Sequence, residues 1–289
     1  MRPWLVVVVA ACHHDAPPPP APAVPRDAPR AHADAAPQLP PHDSYPDLPA
    51  ALHAIIPDDA RVIGFGEIHA RTDRTRVSSA LARFTRDGLP AIADHLSDLV
   101  IETWIVDPRC GKHAAQATEQ VTTTMRRPVE TRSEIAELAD AARAAGIQPH
   151  AMRVTCDDYA KIAPDGGEVN AEAMLALTTR ELGRIATEAV AHRDREPGHR
   201  PWIALYGGAL HNDRFPAPGT AEWSYAAKVD AATGGHFVEI DLIVPEFAEP
   251  DPASQGQPWF PLVGAAGDRV TVWKRGERSF VIVLPRSAK

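Results

Sequence analysis

Short apolar runs alternate along this chain with longer stretches of helical periodicity, and that alternation is the strongest constraint on what it can fold into. The runs are Val62 to Phe65, Asp98 to Ile101, Gln148 to Thr155, Trp202 to Tyr206 and Phe237 to Val244. Between them, Arg74 to Arg86 carries Val77, Leu81 and Phe84 at helical spacing, and Leu89 to Leu96 predicts a second short helix. Lys112 to Arg127 and Ser133 to Ala145 read as helices, the latter with Ser133 as N-cap and Gly146 as its stop. Asn170 to Arg195 predicts a long helix, and Pro46 to Ile56 and Ala221 to Ala232 predict shorter ones. Strands joined through helices pair in parallel with right-handed crossovers. Val270 to Leu284 has two β-rich arms around Arg275-Gly276-Glu277, which predicts a hairpin. The expected fold is therefore α/β: a mostly parallel, mixed sheet flanked by helices, with a C-terminal β-hairpin.

The N-terminus has a different composition. Met1-Arg2 precedes an apolar stretch from Trp4 to Ala11 that is too short to span a bilayer, and Val9-Ala10-Ala11-Cys12 resembles a bacterial lipobox. Residues 1–12 are expected to be a lipoprotein signal peptide, with Cys12 lipidated and the protein held on the periplasmic or cell-surface side of a bacterial envelope. From residue 13 to Pro46 the chain is mostly Ala, Pro, His, Asp and Arg, a composition that cannot bury enough apolar surface to offset its ordering entropy. It reads as a disordered tether. Residues 47–289 are long enough for one α/β domain. Export also makes Cys110 and Cys156 a candidate disulfide. A formal net charge of -8 without a basic cluster excludes nucleic acid as a partner, and the lipid anchor is the only expected membrane contact.

The chemistry collects where the apolar runs end. Gly66-Glu67-Ile68-His69 closes the first run, Glu102 follows the second, and Gly208-Ala209-Leu210-His211 follows a later one. Open α/β sheets bind ligands outside the carboxyl ends of their strands, so Glu67, His69, Glu102 and His211 are the expected catalytic residues. Asp157 and Asp158 are expected on the same edge, and Asn212 and Asp213 are candidates for contacting substrate.

These motifs and their order resemble the superfamily that joins erythromycin esterases, ChaN-type haem-binding lipoproteins and the Tiki/TraB metal-dependent proteases, over about Arg61 to Val244. The esterase branch continues with Gly where Ala70 stands, and the Tiki/TraB branch usually has a small polar residue where Glu67 stands. The resemblance implies hydrolysis of an ester or peptide bond in a small substrate. Without metal, His69 or His211 would act as general base on a water while Glu67 or Glu102 orients the imidazole. With metal, Glu67, His69, Glu102 and His211 would ligate one divalent ion, Mn, Co or Zn by their mixed N/O donors. The contrasting expectation is a non-catalytic haem- or metal-binding lipoprotein.

Overall fold

Residues Val62–Glu67 are buried without exception, as only a central strand covered on both faces can be. The structure is a computed structural model that describes residues 39–287 apart from 75, 106, 165–167 and 199. Cys12, the expected signal peptide and the tether up to residue 38 lie outside the described residues. The strands are β1 (Asp43–Tyr45), β2 (Val62–Glu67), β3 (Leu96–Trp104), β4 (Gln148–Met152), β5 (Trp202–Gly208), β6 (Phe237–Ile243), β7 (Val270–Gly276) and β8 (Ser279–Val283). They form one sheet in the order β1-β7-β8-β6-β2-β5-β3-β4. From β8 to β4 the pairing is parallel; β7 runs antiparallel to β8, and β1 antiparallel to β7. The fold is α/β with a mixed sheet and a C-terminal hairpin. The folded part begins before the expected residue 47, because Asp43–Tyr45 pairs with Val272, Thr271 and Val270.

Alternation along the strands divides the core between the two faces. Ile63 and Phe65 point to one side, where α1 (Leu48–Ile55), α2 (Ala80–Arg83), α3 (Leu89–Ile92) and part of α5 (Thr131–Ala144) cover them. Phe65, Phe84 and Tyr206 pack there as tilted rings with centroids 4.6 and 4.9 Å apart. Val62, Ile203 and Leu205 point to the other side, against α7 (Ala171–Arg195) and α9 (Ala226–Thr233). A separate cluster packs α4 (Gly111–Thr124) and α6 (Cys156–Ile162) on the start of α7, and a Cys110–Cys156 disulfide with Cα atoms 5.2 Å apart ties this unit together.

Three local expectations are corrected. The helix expected from Arg74 begins at Ala80, because Ser79 accepts from the Ala82 N–H as an N-cap. Ser133 does not cap α5, which starts at Thr131; its hydroxyl instead donates to the Glu130 carbonyl. The strand expected through Thr155 ends at Met152, since Thr155 and Asp158 form a reciprocal capping box for α6. The same bonds remove Asp158 from the functional edge, and Asp157 is an exposed residue of that helix.

Candidate functional site

Four neighbouring strands, β6, β2, β5 and β3, end side by side, and glycines keep the floor between them low. A Cβ at Gly66 would collide with Asp241, Asn212 and Ala209, and one at Gly207 would lie 2.6 Å from Glu102 Oε2. Above this floor opens a cleft of about 1040 Å³ whose walls include Glu67, His69, Glu102, Arg127, His211 and Asp241. All four residues expected to be catalytic line it.

Glu67 and His69 form a bonded pair. His69 Nδ1 donates to Glu67 Oε1 at 2.8 Å, and the Tyr206 hydroxyl donates to Oε2 at 2.6 Å. Burial and the Glu67 charge raise the Tyr206 pKa well above its ordinary value, so it stays a donor. Glu102 accepts from the Gly208 N–H at 2.6 Å and from Arg127 at 3.1 Å. Burial opposes its ionisation, yet the neighbouring His69, His211 and Arg127 prevail and hold it well below the carboxylate range. For His69, burial and Arg127 favour the neutral ring, while Glu102 and Glu67 favour the cation and win, raising its pKa above 6.5.

Arg127 is the residue that sequence reasoning missed. It follows α4 through Arg126, whose φ of 50° is left-handed, and lies 2.6 Å from His69 Nε2. Only a neutral ring can accept at Nε2 while donating through Nδ1, so this contact belongs to the neutral state of His69. Protonation puts a second donor at Nε2 and favours the shift of Arg127 toward Glu102. The tandem Arg126-Arg127 after a helix in an acidic chain was the available signal, but nothing in its spacing ties it to a strand end.

His211 lies in α8 (Ala209–Asn212), directly after β5, and is 4% exposed. Its Nδ1 sits 3.0 Å from both the Thr179 hydroxyl and the Trp223 carbonyl. Thr179 donates its own proton to that carbonyl at 2.7 Å, so Nδ1 carries the imidazole proton. Nε2 is thereby left as an acceptor without a hydrogen-bond partner among the described residues.

Two expectations change here. Asn212 does not face substrate: it is 1% exposed, and its amide donates to the Gly64 carbonyl and to Asp241 Oδ1, bracing the floor. Asp213 does line the cleft, where it accepts from Arg275 at 2.7 Å. The expected metal set also fits poorly. Both oxygens of Glu67 and of Glu102 and both nitrogens of His69 already have partners, and a guanidinium occupies the place of a cation between Glu102 and His69. No group of three or more His, Cys, Asp or Glu side chains is arranged to hold an ion among the described residues.

No family model matches this chain, and no curated protein sequence matches it significantly. Among solved structures, the type III effector HopBA1 aligns over 86% of this chain and 98% of its own, at 13% identity and a TM-score of 0.42. Likeness at that level carries no argument about fold or activity. No helix among the described residues is long and apolar enough to cross a membrane.

Proposed function

We propose that this protein is an envelope-tethered hydrolase of ester or peptide bonds that works through its own imidazoles and guanidinium. The observation that carries the reading is the Glu67–His69 pair beside Arg127 at the floor of the cleft. Glu67 fixes the ring so that Nε2 faces outward and stabilises the cation that forms when Nε2 takes a proton. In the free protein Arg127 covers Nε2. A substrate carbonyl oxygen arriving at Arg127 draws the guanidinium away and uncovers the base. Water then loses a proton to His69 Nε2, its oxygen bonds to the carbonyl carbon, and Arg127 stabilises the resulting oxyanion. His211 Nε2 accepts the other O–H of that water and aims it. Glu102, anchored on the Gly208 N–H, holds Arg127 in range. The likeness of the strand-end motifs to erythromycin esterases and their relatives supports the same reaction class, and the lipobox supports an envelope location.

The test is hydrolysis of aryl esters, alkyl esters and short peptides by the full chain carrying Cys12→Ser. Turnover of at least one class, lowered by about 10²-fold or more in His69→Ala, is the expected result. A protein that turns over none of them but shifts the Soret band of added haemin would overturn the hydrolase reading in favour of haem binding.

A further inference from the structure

Asp241 is a buried carboxyl in the cleft for which the reaction above has no use. It lies in β6 between the apolar residues Ile240 and Leu242, paired across the sheet with Gly66. Gly66 pairs in turn with Gly207, and Glu102 stands one residue beyond the Ile101–Tyr206 pair on the next strand. One row thus runs across four strands as carboxyl, glycine, glycine, carboxyl. Asp241 leans inward over Gly66 and Glu102 over Gly207. Ala209 and Asn212 share the space over Gly66 with Asp241, and both carboxyl residues line the cleft. A Cβ on either glycine would collide with the carboxyl beside it.

The surroundings give the two carboxyls opposite character. Glu102 meets an N–H, a guanidinium and two imidazoles. Asp241 has burial and the charges of Glu239 and Asp213 against it, and only the Asn212 amide and the Arg275 charge in its favour; its pKa is raised well above its ordinary value. Asn212 Nδ2 donates to Oδ1, and the other oxygen of Asp241, a residue of the cleft wall, has no hydrogen-bond partner among the described residues and can carry the proton. A carboxyl kept protonated beside ionised groups is suited to act as an acid in the reaction that those groups serve.

We propose that Asp241 is the general acid of the hydrolase, giving its proton to the leaving group from the side of the cleft opposite Glu102. This rests on the hydrolase reading. In the step, the bond from the tetrahedral carbon to the leaving oxygen or nitrogen breaks as that atom takes the Asp241 proton. Asp241 is left as a carboxylate and His69 as an imidazolium, and the His69 proton returns to Asp241 through water once product leaves. No other reactant is consumed.

Leaving-group dependence tests this directly. A nitrophenolate departs without protonation, whereas an alkoxide does not. Asp241→Asn, close in shape to the native side chain, should therefore cost an alkyl ester on the order of 10²-fold or more in kcat/KM and leave its nitrophenyl counterpart nearly unchanged. Equal losses on both esters, or none on either, overturn the assignment while leaving an active wild-type hydrolase intact. Wild-type protein inactive on both overturns the hydrolase reading and this one together. A second measurement is independent of turnover: the ¹³C carboxyl spectrum of Asp-labelled protein, compared with the Asp241→Asn variant, should show a protonated Asp241 at neutral pH. A carboxylate signal there would also overturn the proposal.

Discussion

Strand β3 carries two clusters of the same composition, and only one of them belongs to a site. Near its start, Asp98 bonds His150 at 2.8 Å, Arg193 at 3.0 Å and Ser97 at 2.6 Å. Near its end, Glu102 meets Arg127 and His69. Each is a carboxylate with an imidazole and a guanidinium. The first has no place in the cleft; the second forms its floor. Parallel strands bring their connecting loops, and α8 after β5, to the carboxyl ends, where Gly66, Gly207 and Gly208 leave room above the sheet. At the opposite end the same residue types close on one another and act as an ion-pair clasp between β3, β4 and α7. Composition therefore names candidates, and the space beside them decides which can meet a substrate.

The largest expected effect separates the two imidazoles. His69→Ala should lower kcat/KM by about 10²–10⁴, the usual contribution of a general base, whereas His150→Ala should change it less than about twofold. Steady-state kinetics of both variants on one ester would break the comparison if the losses were alike. Next comes the guanidinium: Arg127→Ala should cost about 10²–10³ in kcat, as for loss of one oxyanion donor, with Arg193→Ala again nearly silent in kinetics.

Stability should rank the regions differently. Removing the Cys110–Cys156 bridge, which spans a sequence separation of 46, should cost about 2–4 kcal/mol in denaturant melts. It should loosen the α4 segment that delivers Arg127, leaving the Asp98 clasp untouched. Asp98→Asn should cost on the order of 2 kcal/mol at neutral pH, because burial is outweighed by His150, Ser97 and Arg193 and the Asp98 pKa falls to about 2. A depressed carboxylate stabilises the fold above its unfolded pKa, so this contribution is complete above about pH 4 and fades as pH drops toward 2. Chemical melts at pH 7 and pH 2.5 should show the variant and wild type converging.

The smallest effect is a displaced pH profile. His69 must be neutral to act as base, and its pKa is raised, so kcat/KM should fall as pH drops through a value above 6.5. Glu67→Gln removes one of the groups that raise it and should move that limb to lower pH. A limb that stays in place would detach Glu67 from the ionisation of His69.

The order of strands and helices, the parallel sheet with its hairpin, and the gathering of Glu67, His69, Glu102 and His211 at one edge were legible in the sequence. Short apolar runs and strand-end glycines are local signals, and parallel connection forces strand ends to the same side. Boundaries such as Ser79, Thr155 and Ser133 were less legible, because a capping side chain competes with its neighbours over a few residues. Tertiary structure alone decided that Arg127, from a helix end far along the chain, sits on His69. It also decided that Asn212 turns inward to brace the floor while its neighbour His211 faces the cleft, and that Asp241 leans over Gly66. The acidic Glu239 and Asp241 within an apolar strand were visible as an anomaly, but their partners were not. Contacts between residues so distant in sequence depend on strand order and register, which a single chain's local pattern does not encode; only the folded sheet brings β6, β2, β5 and β3 side by side.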